Sequence, residues 1–239
     1  MNIITRAGVI SSHPPLFKFK YARESFRYLI QTFNIKRIYL PYYLCDVMRH
    51  SAVEAGAKPI FYHIDDNFMP AENFPENEFI LYPNYFGVCD KNVEKLVNIY
   101  PKLIVDNAHS FYSKPSGFAC FNSERKFHPE KINSYLWIKK EGAGIDFENP
   151  YELPQIRQRK NIFIAWHKRL MNKNCLNLDL ETSVSPFCYP YLAANESEAD
   201  ELALKLEQEG KTIYRYWNNL PKSFNEYKFY RCLVPIPLS

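Results

Sequence analysis

The sequence predicts an α/β fold in which a mostly parallel sheet is flanked by helices and followed by a small α+β C-terminal domain. Apolar runs typical of buried strands alternate with segments of helical spacing over residues 20–110. Strands separated by helices of ten or more residues need crossover connections, which make the sheet mostly parallel. The 239 residues are 46% hydrophobic and 23% charged, so the chain has the composition of a folded domain and not of a disordered one.

Each element of the first half rests on its own pattern. Phe26, Leu29 and Ile30 repeat at helical spacing, and the next helix ends at Gly56. The short apolar runs between helices read as strands. The predicted elements are helix 20–33, strand 36–42, helix 44–56, strand 58–65, strand 78–84, helix 91–101 and strand 102–110.

The second half predicts a smaller unit after an irregular stretch. Residues 149–184 are read as a connector between a large domain, 1–148, and a small domain, 185–239. In the small domain, Ser197 and Asp200 form a capping-box-like helix start, and Gly210 ends that helix. The predicted elements there are strand 186–194, helix 197–209, strand 211–217, a short helix near 224–230 and a final strand 233–238.

Composition argues against several classes of protein. The six cysteines form no C-x-x-C pair, as expected for free thiols in a reducing compartment, and they offer no metal site. The net charge of +4 is scattered, which does not favour nucleic-acid binding. The N-terminal apolar segment is short for a signal peptide, and no run approaches the roughly 18 apolar residues of a membrane helix. We therefore expect a cytoplasmic protein with neither nucleic acid nor membrane as partner.

Chemically versatile side chains follow the predicted strands. Asp106 and His109 come after one apolar run, and Ser123 and Lys126 come after the next. Ligand sites of such sheets lie outside the carboxyl ends of the strands, so these four side chains are expected at one edge. The set suits pyridoxal phosphate: a lysine bonds to the aldehyde, an acid pairs with the pyridine nitrogen, and hydroxyls with a helix N-terminus hold the phosphate.

An ordered series of motifs strengthens this interpretation. It comprises residues 22–25, 40–45, 55–59, 85–87, 104–110 and 123–126, with weaker likeness at 214–217 and 233–238. The series resembles the fold type I pyridoxal-phosphate enzymes, and within them the sugar aminotransferases of the DegT/DnrJ/EryC1/StrS group. The likeness covers roughly residues 20–140.

The resemblance implies roles for individual residues. Asp106 would keep the pyridine nitrogen protonated, and Lys126 would bond to the cofactor and carry out catalysis. Lys131 is the reserve lysine, because residues 127–129 match a motif that precedes the lysine in another branch of the family. For both lysines the alternative is a solvated basic turn.

Further cofactor contacts are implied from Ala22, Arg23, Ser25, Tyr43, His109 and Ser123. The first three would open a helix whose free N–H groups hold the phosphate. Tyr43 would stack on the pyridine ring, with a core aromatic as the alternative. His109 would lie beside the ring, and its alternative is a structural histidine.

The function implied is the transfer of an amino group, with glutamate as donor, to a keto sugar nucleotide in surface-polysaccharide biosynthesis, by a homodimer with shared active sites. One alternative is a catalytically degenerate aminotransferase-fold protein with a binding or assembly role. Residues 132–134, which replace a glycine-rich stretch of the family, favour that alternative. A nucleotide-binding protein without the cofactor is a third possibility, but the chain contains neither G-x-G-x-x-G nor a P-loop.

Overall fold

A seven-stranded sheet forms the centre of the computed structural model, which describes residues 16–139, 154–177 and 186–238. The strands run in the order β1-β7-β6-β5-β4-β2-β3. They are β1 (Leu16–Phe19), β2 (Arg37–Pro41), β3 (Lys58–Tyr62), β4 (Ile80–Pro83), β5 (Leu103–Asn107), β6 (Ala119–Asn122) and β7 (Ser134–Ile138). The helices between them are α1 (Ala22–Thr32), α2 (Asp46–Glu54) and α3 (Asp90–Ile99).

The sheet is mostly parallel, as the sequence predicts. Strands β2 to β6 pair in parallel, whereas β7 is antiparallel to both β6 and β1. Pro83 of β4 pairs with Asp106 of β5, and Asp106 pairs with Phe121 of β6. These neighbouring strands therefore end together at one edge of the sheet.

Hydrophobic layers cover both faces of this sheet. On one face, α1 and α2 pack against inward side chains such as Leu81, Ile104 and Phe121. On the other face, α3 and the C-terminal part of the chain pack around Val105 and its neighbours. Burial on both faces explains why the central strands read as continuous apolar runs in the sequence.

The C-terminal elements differ in part from the sequence prediction. They are α4 (Pro154–Leu170), β8 (Cys188–Leu192), α5 (Glu196–Gln208), α6 (Tyr227–Cys232) and β9 (Leu233–Pro237), with β8 antiparallel to β9. The irregular reading of 149–184 is wrong for α4, and the rest of that stretch lies partly outside the described residues. The strand predicted at 211–217 is wrong, because this segment has no ladder partner.

Helix α5 is capped by Asn195, which accepts from the Glu198 N–H at 2.9 Å, and not by Ser197. The domain boundaries stay a prediction.

A buried carboxylate joins the C-terminal elements to the sheet. Glu226, at the start of α6, is fully buried. It accepts hydrogen bonds from the Ile64 N–H at 2.8 Å and from His63 Nδ1 at 3.0 Å. The imidazole of His63 also contacts the rings of Tyr42 and Phe224. These contacts fix the C-terminal part over the edge of the sheet where β3 ends.

Replacing Gly117 with alanine is expected to destabilise the fold strongly. Gly117 precedes β6 with φ +78°, and a Cβ there would lie 2.5 Å from the carbonyl oxygen of Leu103. Left-handed strain and overpacking together predict a loss on the order of 2–4 kcal/mol, measurable by urea unfolding. The control is Gly56→Ala, because Gly56 has φ +90° but open space around the added Cβ. Equal losses in the two variants would show that the close approach to Leu103 is unimportant.

Candidate functional site

Two strand ends bring the predicted catalytic residues to one edge of the sheet. Asp106 is the penultimate residue of β5, and its register partner lies in β6. Ser123 directly follows β6 and precedes a single 3₁₀ turn that ends at Lys126. Asp106 and Lys126 lie close enough for their charges to interact. The edge predicted from the sequence therefore exists, and it carries both groups.

The Asp106 carboxyl is buried and only partly compensated. One of its oxygens accepts from the Ala108 N–H at 2.8 Å. Burial raises the pKa of Asp106 to about 6, although the Ala108 hydrogen bond and the charge of Lys126 act in the opposite direction. A buried carboxyl with this environment favours a cationic group placed against it.

The environment of Lys126 favours the unprotonated form of its amine. Burial lowers its pKa to about 8, while Asp106 and the nearby Cys45 thiol oppose the shift. At pH 7 such an amine is roughly 10% unprotonated, compared with roughly 0.03% for a lysine of ordinary pKa. Only the unprotonated amine attacks an aldehyde, so the environment raises the reactive fraction by more than two orders of magnitude.

This shift predicts a pH profile for Lys126. Its acylation rate should rise with pH through a midpoint near pH 8 and level off roughly two pH units higher, where deprotonation is nearly complete. Surface lysines should show midpoints more than two pH units higher, near their ordinary pKa of about 10.4. Competitive labelling of the whole protein, followed by peptide mass spectrometry, measures each lysine separately. A Lys126 midpoint equal to that of the surface lysines would contradict the lowered pKa.

Lys131 lies in a different environment. Its side chain is half exposed, and its ammonium pairs with Glu124 at 3.5 Å. Glu124 is buried and also accepts from Asn133 Nδ2 at 2.8 Å. The half-exposed reserve lysine is therefore held in an ion pair with a buried carboxylate, and the geometry favours Lys126 as the reactive amine.

His109 is buried among aromatic rings. Its imidazole stacks on Phe187 with a centroid distance of 4.6 Å and on Trp217 at 5.6 Å, each within 11° of parallel. Burial holds the pKa of His109 well below its usual range, and the charge of Lys126 adds to this effect. Nε2 of this neutral ring is buried and has no hydrogen-bond partner among the residues that the structure describes.

The first turn of α1 lies beside the end of β6. The Ser25 hydroxyl is 2.8 Å from that of Ser134, which donates to the Asn122 carbonyl at 2.7 Å. Buried Ser25 is thus linked through Ser134 to Asn122, the residue before Ser123, while Arg23 lies over the ring of Tyr21. Ala22 is the first residue of the helix, where backbone N–H groups lack intrahelical acceptors. The start of α1 therefore lies at the same edge as Lys126, and its binding of a phosphate stays a prediction.

Tyr43 is a core residue in this structure. It has no exposed surface, and its ring stacks on Tyr85 at 5.7 Å and contacts Trp217 edge-on at 4.5 Å. The Tyr43 hydroxyl is buried without a partner among the described residues. Packing therefore supports the core-aromatic interpretation, and a direct role at the cofactor stays a prediction.

A cavity of about 550 Å³ opens beside Lys126. Arg159, Phe187 and Glu209 contribute to its wall. The Arg159 guanidinium donates to the carbonyl oxygens of Pro186 at 3.2 Å and Phe187 at 2.6 Å. Both acceptors are neutral, so these bonds fix the guanidinium without neutralising its charge. The cavity thus combines three cationic side chains, those of Lys126, Arg159 and Lys211, with the one carboxylate of Glu209.

Sequence reasoning did not identify Arg159, Phe187 or Trp217. They lie far along the chain from Lys126 and reach the edge only through tertiary packing. Within residues 16–139, 154–177 and 186–238, no group of three or more His, Cys, Asp or Glu side chains could hold a metal ion. None of the described helices combines the length and apolarity needed to span a bilayer.

Comparison with solved structures defines the fold. The chain superposes on a DegT DnrJ EryC1 StrS aminotransferase from Brucella abortus with a TM-score of 0.69 and 13% identity, over 94% of this chain and 81% of that one. For a protein from Streptococcus pneumoniae described as a sugar aminotransferase, in its PLP form, the TM-score is 0.67 at 13% identity, over 95% and 83%. For Helicobacter pylori PseC, an aminotransferase involved in the biosynthesis of pseudoaminic acid, it is 0.65 at 15% identity, over 95% and 82%.

At the level of sequence alone, no protein-family model and no curated protein matches this chain. The structural likeness nevertheless extends over nearly all of it, including the C-terminal elements. The chain therefore has the fold of the fold type I sugar aminotransferases, and the fold implied by the sequence motifs is confirmed.

Proposed function

We propose that this protein is a pyridoxal-phosphate-dependent aminotransferase that acts on a keto sugar nucleotide. The observation that carries the proposal is the Lys126 amine, whose pKa burial lowers to about 8, beside the buried Asp106 carboxyl at the same strand edge. Proteins of the same fold described as aminotransferases, one of them in its PLP form, support it. The proposal places the chain among the sugar aminotransferases as a divergent member.

The residues at the edge fit this cofactor. Lys126 would bond to its aldehyde carbon, and Asp106 would accept a hydrogen bond from the protonated pyridine nitrogen. Ser123 and the first turn of α1 at Ala22 would hold the phosphate. His109 Nε2, a buried polar atom without a partner among the described residues, is available to a polar group on the ring.

When bound, pyridoxal phosphate supplies an electron sink that lets the α-carbon of an amino acid lose a proton. The protein controls where that proton goes. With the cofactor bound, the Lys126 amine would be the base that accepts the proton from the α-carbon. Asp106 would hold a proton on the pyridine nitrogen through its negative charge. The net reaction moves an amino group from the donor to the keto carbon of the acceptor.

The cavity beside Lys126 supports an anionic acceptor. Arg159 and Lys126 place positive charge on the wall of the cavity. Positive charge of this kind attracts the anionic diphosphate of a sugar nucleotide. A volume of about 550 Å³ is within the usual range for small-molecule sites. A sugar nucleotide and an amino-acid donor such as glutamate are the proposed substrates, and surface-polysaccharide biosynthesis is the proposed context.

A single-turnover experiment tests this function. The purified protein is mixed with pyridoxal phosphate, freed of excess cofactor, and given glutamate without a keto acceptor. We expect one equivalent of 2-oxoglutarate per bound cofactor and the loss of the visible absorption of the bound aldehyde form. Cofactor binding without release of 2-oxoglutarate from glutamate or other amino acids would support the non-catalytic alternative. No binding at all would reject the proposed function.

A homodimer is part of the proposal. A partly exposed aromatic surface lies beside the turn that carries Lys126. It consists of Phe111, Tyr112, Phe127 and Tyr135. Apolar aromatic surface of this kind is typical of subunit interfaces. Sedimentation at micromolar concentration should therefore give twice the 28.3 kDa of the chain. A monomer that still binds the cofactor would show that the site is not shared. The cytoplasmic location likewise stays a prediction.

A further inference from the structure

Two rings from the C-terminal part of the chain stack on the imidazole of His109. Phe187, just before β8, lies 4.6 Å from it, and Trp217 lies 5.6 Å from it. Each ring is within 11° of parallel to the imidazole. We call Phe187 and Trp217 the aromatic clamp. Stacking of this kind restrains the plane of a ring without using its nitrogen atoms.

The backbone of Phe187 is anchored on both sides. Its N–H donates to the carbonyl of Phe86 at 2.8 Å, and its carbonyl accepts from Arg159 Nη2 at 2.6 Å. Phe86 itself packs against His109 at 5.7 Å. The backbone of Phe187 is therefore held by hydrogen bonds that do not involve the imidazole. This makes Phe187 a rigid support for the His109 ring.

Trp217 reaches His109 through an unfavourable backbone conformation. Its φ of 57° lies in the left-handed region, which is unfavourable for a residue other than glycine. The indole also contacts Tyr43 at 4.5 Å and Tyr85 at 5.7 Å, two fully buried rings. Strain that persists because its surroundings over-determine the conformation is often associated with function. Here the strain places an indole against the one buried imidazole whose Nε2 has no partner among the described residues.

We propose that Phe187 and Trp217 are positioning residues that fix the imidazole plane of His109, so that its Nε2 stays available to a polar ligand group. Trp217 acts through His109, whereas Phe187 also lines the cavity beside Lys126, so Trp217 is the residue for measurements of ligand affinity. With the cofactor as that ligand, the inference rests on the proposed function. The geometric part of the inference is that the clamp restrains the imidazole of His109 and keeps water away from it. That part does not depend on the cofactor.

The clamp also keeps water from the imidazole. The titratable groups that face His109 are Lys126, whose charge opposes protonation, and Tyr216, whose ring lies 5.3 Å away. Burial is the larger of the two influences on the pKa of His109. Removing a clamp ring should let water stabilise the imidazolium, so the proton affinity of His109 should rise.

The first measurement uses ligand-free protein. Nuclear magnetic resonance follows the six histidines through a pH titration, and the His109 signal is assigned by its loss in His109→Gln. In Trp217→Leu and Phe187→Leu we expect at least a tenfold rise in the proton affinity of His109. Trp217→Phe should keep the wild-type value, because it retains a ring. The control is Trp166→Leu, which removes a half-buried indole on α4. An unchanged His109 titration in both leucine variants would overturn the proposal.

The second measurement is a double-mutant cycle on pyridoxal-phosphate affinity. Trp217→Leu alone should weaken binding about tenfold, as should His109→Gln. A residue that acts only through His109 has no further effect once His109 is gone, so the double variant should bind like His109→Gln. Additive losses would overturn the positioning role. If the wild-type protein binds no cofactor, the proposed function fails, whereas the titration still decides whether the clamp restrains His109.

Discussion

Replacing Lys126 with alanine is expected to abolish covalent attachment of pyridoxal phosphate. The bond to the aldehyde needs an unprotonated amine at the cofactor site, and the Lys126 amine is the one that burial and the neighbouring Asp106 hold at a pKa of about 8. Incubation with the cofactor, borohydride reduction and peptide mass mapping should mark Lys126 in the wild-type protein. No lysine should be marked stoichiometrically in Lys126→Ala.

The matched control is Lys131→Ala, five residues along the same loop. Lys131 is half exposed and pairs with Glu124, and the Glu124 carboxylate keeps its hydrogen bond from Asn133 Nδ2 when this lysine is removed. Attachment at Lys126 should continue in this variant. A mark on Lys131 in the wild-type protein, lost in Lys131→Ala and retained in Lys126→Ala, would transfer the role to Lys131.

The sheet was predictable where burial on both faces makes a strand continuously apolar. Strand β5 illustrates this, since all five of its residues are buried and its apolar run leads directly to Asp106. The antiparallel β7 could not be placed in the sheet by such reasoning. Its position follows from pairing with β1 and β6, and no local periodicity encodes which strands will be neighbours.

The segment at 211–217 shows why the strand prediction failed there. Its alternation of polar and aromatic residues is typical of a strand, yet the left-handed φ of Trp217 is incompatible with one. Tyr216 and Trp217 are held by ring contacts to His109 and Phe86, more than 100 residues earlier in the chain. Tertiary contacts override the local sequence pattern of this segment. The position of Phe187 depends on tertiary contacts in the same way.

The residues of the candidate site likewise fall into those that a local pattern predicts and those that tertiary packing brings together. Asp106, His109, Ser123 and Lys126 could be found because each follows a strand whose carboxyl end must lie at the shared edge. Arg159 could not, because the polar sequence around it indicates an irregular connector. Helix α4 buries only Ile156 and Phe163 among its described side chains, which is too few apolar contacts to give a clear helical period.

Asp106→Asn is expected to separate cofactor attachment from amino transfer. The amide oxygen can still accept from the Ala108 N–H, so the backbone turn after β5 should be retained. The negative charge is lost, and the pyridine nitrogen is no longer held protonated. Removing one such electrostatic partner typically costs about 10²–10³ in rate, so release of 2-oxoglutarate in a single turnover should slow by about that factor. Covalent attachment to Lys126 should persist.

The same variant has a signature that does not depend on turnover. The charge of Asp106 raises the pKa of Lys126, so its removal should move that pKa below about 8. Competitive labelling of ligand-free Asp106→Asn should therefore show Lys126 reaching full reactivity at a lower pH than in the wild-type protein. Asp66→Asn is the matched control, because Asp66 is exposed and pairs with Lys228. A Lys126 midpoint that stays in place, together with an unchanged single-turnover rate, would show that Asp106 is a structural carboxylate at the end of β5.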